Sequence, residues 1–217
     1  MKEQYFSRGS INEKARTMLS SIKRRETAFV PELSALLIVD MQKYFLSPSS
    51  HAFIPSAQAI IPAIVELTEA YAAQHLPVIF TRHLNTPQNA GMMKKWWKDL
   101  IREEDPLSEI IDGLNLASGI VLKKGQCDAF FETPLTEILQ EKEVSQVVIC
   151  GVMTHLCCET TARSAFVRGF EVFFTIDGNA SYNEKFHLAT LLNLSHGFAT
   201  PMLVEEILAT FSKKDAN

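Results

Sequence analysis

The feature that most constrains this chain is a series of short, almost wholly apolar runs separated by segments with helical spacing. The runs are Ala35-Leu36-Leu37-Ile38-Val39, Pro77-Val78-Ile79-Phe80-Thr81, Ile120-Val121-Leu122, Val147-Val148-Ile149-Cys150, residues 170–176 and residues 199–202. Uninterrupted rather than alternating hydrophobicity predicts strands covered on both faces. Between the first two runs, Ile60, Ile64, Leu67 and Tyr71 fall on one helical face behind Ser56, a good N-cap residue. Further helices are predicted over 92–102, 133–142, 159–168, 183–194 and 205–211; Thr133 would cap the second of these, with Pro134 in its first turn. Strands alternating with helices require a sheet sandwiched between helical layers. The expected fold is therefore three-layer α/β/α with a mainly parallel, Rossmann-like central sheet of about six strands.

Ahead of the first strand, residues 1–30 read as an N-terminal arm with a helix over 12–24, where Ala15, Met18, Leu19 and Ile22 share a face. Residues 31–217 read as a single domain, a length that one core can serve. A formal charge of −4 and a pI near 5.9 offer no basic patch for nucleic acid or an anionic membrane. No apolar run reaches the roughly 18 residues of a membrane span. The polar start of the chain lacks the apolar core of a signal peptide. Four unevenly spaced cysteines do not make a disulfide scaffold, and no CxxC pair suggests zinc. The expectation is a reduced, cytoplasmic protein that acts on a small molecule without nucleic acid or membrane as partner.

In sheets of this class the chemistry lies beyond the carboxyl ends of the strands. Asp40 ends the first run, Lys123 and Lys124 follow the third, and Cys157 follows the fourth within Gly151-Val152-Met153-Thr154-His155-Leu156-Cys157-Cys158. A cysteine at a strand-to-helix junction lies near free amides and the positive end of a helix dipole, which favours thiolate. Asp40 would take its proton, a lysine ammonium would steady both charges, and the turn's amides would hold an oxyanion. Each residue also has a plainer role: a strand-end aspartate caps a turn, a lysine is solvated, a cysteine fills space. Chemistry alone does not choose between Lys123 and Lys124. His155 lies two residues from Cys157, a spacing that points it elsewhere on a helix. His83 either lines a pocket or sits on the surface. With Phe45, Phe53, Trp96 and Trp97 it forms the wall of a pocket, or these aromatics bury against helices or another subunit.

The stretches Leu36-Leu37-Ile38-Val39-Asp40-Met41-Gln42-Lys43-Tyr44-Phe45, Lys124 five residues before Ala129-Phe130, and Gly151-Val152-Met153-Thr154-x-x-Cys157 resemble the isochorismatase-like cysteine hydrolases. These include nicotinamidases, N-carbamoylsarcosine amidase and ureidoacrylate hydrolase. Thr161-Ala162-Arg163-x-Ala165 and Asp177-Gly178 match as well, so the resemblance covers residues 35–202. It implies a triad of Asp40, Lys124 and Cys157, a cis peptide between Val152 and Met153, and an oxyanion hole from the amides of Met153 and Cys157. It selects Lys124 over Lys123 by the distance to Ala129-Phe130. It selects Cys157 over Cys158, which matches an apolar helix position. It also implies a homodimer or homotetramer.

Two departures bear on substrate. Nicotinamidases carry a metal-binding Asp-x-His motif after the second strand, where this chain has Thr81-Arg82-His83-Leu84-Asn85, so neither metal nor cofactor is expected. Isochorismatases share the Val152-x-x-His155 and Tyr44-Phe45-Leu46 details and a similar arm, yet have glycine at the position of Cys157. The arginine they use for substrate carboxylates has only Lys94 or Lys95 as a counterpart. The expected pocket comprises Phe45, His83, Trp97 and His155. The resemblance therefore implies cysteine-dependent cleavage of a C–N bond in a small non-peptide amide or ureido compound through a thioester. Two alternatives stand beside it: vinyl-ether hydrolysis with Asp40 as acid and no covalent intermediate, and a non-catalytic α/β metabolite-binding module.

Overall fold

The computed structural model describes residues 1–212 of the 217-residue chain, so the last five positions of the domain expected over 31–217 lie outside the described residues. Six strands form one sheet: β1 (Ser34–Val39), β2 (Val78–His83), β3 (Ile120–Lys124), β4 (Gln146–Val152), β5 (Glu171–Ala180) and β6 (Thr200–Met202). Their order is β3-β2-β1-β4-β5-β6 and every adjacent pair is parallel. All residues of β1 and β4 are buried, which is why these two runs carry no polar alternation.

The helices are α1 (Ile11–Ser20), α2 (Lys43–Leu46), α3 (Ala57–Ala73), α4 (Met93–Trp96), α5 (Leu135–Glu141), α6 (Glu159–Val167), α7 (Glu184–Gly197) and α8 (Val204–Ser212). The β1–α3–β2 crossover runs toward one edge of the sheet, and β4–α6–β5 toward the other. Right-handed crossovers then put α3 and α6 on opposite faces. Helix α8 packs beside α3, and α7 beside α6. The direction of winding reverses between β1 and β4, and the crevice at that point is where such a sheet takes its ligand. Among the described residues no helix is long and apolar enough to cross a membrane.

The register Val39↔Gly151 brings the ends of β1 and β4 together. Gly151 has φ +122°, and a Cβ there would lie 2.1 Å from the Val39 carbonyl oxygen, so only glycine admits this approach. Tertiary contacts override several expected boundaries. Helix α1 stops at Ser20, short of residue 24. Helix α4 ends at Trp96 rather than near 102, because the chain then extends inward, burying Ile101, whose carbonyl accepts from the Asn85 amide at 2.6 Å. Strand β5 runs on to Ala180, holding Asp177 and Gly178 inside the strand.

The N-terminal segment packs into the main core: Tyr5, Phe6, Ile11, Ala15, Met18 and Ile22 are all buried within it. Ser56 does not cap α3. Its hydroxyl accepts instead from the amides of Tyr5 and Phe6, at 2.9 and 3.0 Å. The Tyr5 hydroxyl and the Thr154 hydroxyl each lie 3.0 Å from His187 Nδ1, joining the N-terminal segment to the turn that carries Cys157.

Burial holds His187 far below the ordinary imidazole range, at about 3. The unfolded chain therefore binds a proton at this residue between pH 6.5 and about 3 while the folded chain does not, and stability falls as pH drops through that window. Between about pH 7 and about pH 5 the loss from this residue is about 2 kcal/mol, read from urea unfolding of wild type against His187→Gln. Buried Asp177, raised to about 6, acts with the opposite sign and cancels in that difference. Equal pH slopes for the two proteins would contradict the assignment.

Candidate active site

Asp40 follows the last residue of β1 with φ +51°, in the left-handed region that a non-glycine residue rarely adopts. The conformation turns its carboxylate inward, where its side chain is completely buried. The neighbouring strand supplies the fixing group. Thr81 Oγ1 donates to Asp40 Oδ1 at 2.6 Å and accepts from the Asp40 amide at 3.0 Å. Lys124, the last residue of β3, reaches across β2 to place Nζ 2.8 Å from Asp40 Oδ2, and its side chain is equally buried.

The ammonium has three protons and three acceptors: Asp40 Oδ2, His83 Nδ1 at 3.1 Å and the Gln126 carbonyl at 2.9 Å. It is a fixed cation with no donor left for substrate. The His83 ring is held from its other side, with Nε2 at 3.0 Å from Asn85 Oδ1, which assigns the proton to Nε2 and the lone pair to Nδ1. Gln42 clamps the backbone of the same residue, accepting from the His83 amide at 2.8 Å and donating to its carbonyl at 3.0 Å.

Cys157 comes from the far side of the crevice. The Val152–Met153 peptide is cis, and a single π-type turn, Thr154–Cys158, leads into α6. One donor atom each from Asp40, His83 and Cys157 lie within 4.8 Å of one another. The charges are strongly coupled. Burial alone would raise the Asp40 carboxyl, but the Lys124 ammonium and the hydrogen bonds from Lys124 and Thr81 outweigh it and hold the acid below its ordinary range. Burial likewise disfavours charged Lys124, and Asp40 reverses that, raising its pKa. Cys157 behaves differently: its hydrogen bond with Cys127, then burial, push the thiol well up against the pull of Lys124. The Cys127 interaction and burial therefore oppose the thiolate that the position of Cys157 at a strand-to-helix junction favours.

A cavity of about 80 Å³ opens onto Cys157, with Tyr44, Phe45, Met93, Trp97, Leu156 and Tyr182 as its largely apolar wall. Of the expected pocket residues, Phe45, His83 and Trp97 line it. His155 does not. The π-type turn puts Leu156 into the cavity and directs His155 outward, where Nδ1 meets Ser181 Oγ at 2.5 Å and the ring stacks on Phe186. Trp96 is 76% exposed, and Lys94 and Lys95 also face solvent. Sequence reasoning missed Thr81, Gln42 and Cys127. Thr81 had one usable signal, its place at the end of the strand beside β1.

Asp40, His83 and Cys157 also have the spacing of a metal-ligand set. The residues present do not fit one, because the Lys124 ammonium already lies against both Asp40 and His83 and would repel a second cation.

Residues 34–206 match the isochorismatase domain. The chain belongs to the isochorismatase family. Nicotinamidase 3 of Arabidopsis thaliana is 39% identical over 173 residues, covering 77% of this chain and 83% of that protein. Enterobactin synthase component B of Escherichia coli K12 is 31% identical over 185 residues, 83% of this chain; the match spans 64% of that longer relative. Among solved structures, a cysteine hydrolase from Pseudomonas syringae pv. phaseolicola superposes with a TM-score of 0.84 at 24% identity, covering 89% of this chain and 99% of that one. At that identity the likeness is one of fold. Family members among these relatives are hydrolases, and this isochorismatase-family chain is an enzyme of that class.

Proposed function

We propose that this isochorismatase-family hydrolase cleaves the C–N bond of a small, flat carboxamide or ureido compound through a thioester on Cys157. The observation that carries the reading is that Cys157 lines an aromatic-walled cavity while the buried Asp40 carboxylate, paired with the fixed Lys124 ammonium, lies within 4.8 Å of it. Asp40 takes the thiol proton as sulfur attacks the carbonyl carbon. Because the thiol is raised and the carboxyl lowered, transfer is favourable only in concert with S–C bond formation. The amides of Met153 and Cys157 hold the tetrahedral oxyanion. Asp40 returns the proton to the leaving nitrogen, the C–N bond breaks, and water hydrolyses the thioester.

The small volume suits a small acyl group, and the aromatic walls suit a planar one. Nicotinamide is the first substrate to test, since the 39%-identical relative is a nicotinamidase. A dicarboxylate such as isochorismate finds no arginine among the described lining residues; Arg82 turns away, donating to the Ser108 carbonyl at 2.9 Å and its hydroxyl at 2.6 Å. The test is a screen of nicotinamide, other small amides, ureido compounds and isochorismate. Ammonia release by wild type but not by Cys157→Ala is expected. Pyruvate release from isochorismate at equal rates by both proteins would sink the reading.

A further inference from the structure

The catalytic cavity contains a second thiol. Cys127 lies in the loop after β3 and lines the same cavity as Cys157. The two thiols lie close enough to shift one another's acidity. Their approach is built into the backbone. Thr161, one helical turn beyond Cys157, donates its hydroxyl to the Cys127 carbonyl at 3.3 Å and accepts from the Ala129 amide at 3.1 Å. Ser164 on the same helix donates to Asp128 Oδ2 at 2.6 Å. The Cys127 loop is therefore strapped to the helix that follows the nucleophile. All four cysteines of the chain are free, and Cys150 and Cys158 are completely buried away from this cavity.

We propose that Cys127 and Cys157 form a reversible disulfide with a hydroperoxide as oxidant, a modification that shuts the enzyme off and shields the nucleophile from irreversible oxidation. Only its effect on turnover rests on the reading of Cys157 as nucleophile. The more acidic partner reacts first: the hydrogen bond from Cys157, offset in part by burial and helped by Lys124, lowers the Cys127 thiol. The Cys127 thiolate attacks one peroxide oxygen, the O–O bond breaks, and the departing hydroxide takes a proton to become water. Cys157 sulfur then attacks the sulfenic sulfur of Cys127. The S–S bond forms, the S–O bond breaks, and the leaving hydroxide removes the Cys157 proton as a second water. Two thiols and one hydrogen peroxide thus give one disulfide and two waters. Dithiothreitol reverses the modification.

The experiment treats wild type, Cys127→Ser and Cys157→Ser with hydrogen peroxide, then measures free thiols, cross-linked peptides and activity relative to each untreated protein. Wild type should fall from four titratable thiols to two, yield a peptide pair joined through Cys127 and Cys157, and recover both thiols and turnover with dithiothreitol. Cys127→Ser should lose activity about tenfold more slowly at the same peroxide concentration and form no such cross-link. Wild type that loses thiols without this cross-link overturns the proposal, as does inactivation of Cys127→Ser at the wild-type rate. Thiol counts and peptide mapping decide it without any assay of turnover. Undiminished turnover by Cys157→Ser would refute the catalytic role while leaving the cross-link to stand or fall on its own.

Discussion

Lys124→Ala is expected to lower stability by about 3–5 kcal/mol and to abolish turnover. Both partners of the Lys124–Asp40 pair are fully buried at 2.8 Å, so removing the ammonium leaves a carboxylate with no counter-ion in a dry site. His83 and the Gln126 carbonyl lose their donor in the same step. Asp40→Asn creates the converse defect, a buried ammonium lacking its anion. The double variant removes both charges and should be more stable than the sum of the single losses implies, a coupling that urea unfolding of the four proteins measures. Additive losses would mean that the pair holds nothing together. Activity separates the two roles: no member of the set regains turnover, because the base is absent wherever stability is restored.

Cys157→Ala is expected to lower kcat by about a thousandfold or more with little change in stability, since one small buried atom is lost from a well-formed turn. Cys157→Ser should be nearly as inactive. A serine hydroxyl is a far weaker acid than a thiol, and Asp40, held below its ordinary range by Lys124, is too weak a base to activate it. Burial has a further consequence for reagents. Iodoacetamide should label Cys157 slowly near neutral pH and faster as pH rises, because the resting group is a thiol pushed up by its Cys127 hydrogen bond and by burial. Rapid labelling at low pH would contradict this. Slow labelling is therefore no sign of a non-catalytic protein.

The strands were legible in the sequence because β1 and β4 are covered on both faces, which leaves no polar residue to interrupt them. The strand-end rule pointed to Asp40, to the Lys123–Lys124 pair and to the Cys157–Cys158 turn, and only the family resemblance chose Lys124 and Cys157 within those pairs. What escaped depends on three-dimensional accident rather than period. The spacing rule turned His155 away from Cys157, as the structure has it, but did not show that a π-type turn would put Leu156 in the cavity in place of the expected His155. Cys127 meets Cys157 across strands that are not neighbours in the sheet, and no periodicity reports such a contact. The thiol's protonation also escaped. A helix start and a lysine are visible in sequence, but the depth of burial that opposes them is not. Tyr5 and Phe6 sit among polar residues in the chain, so nothing announced that they join the main core.

The central claim is a covalent intermediate on Cys157. Its most direct test is acid-quenched intact-mass analysis of wild-type enzyme during turnover of a small amide such as nicotinamide. The account predicts a transient mass increase equal to the acyl group, mapped to the peptide containing Cys157 and absent from Cys157→Ala. Steady turnover with no adduct in wild type, at an equal rate in Cys157→Ala, would contradict it.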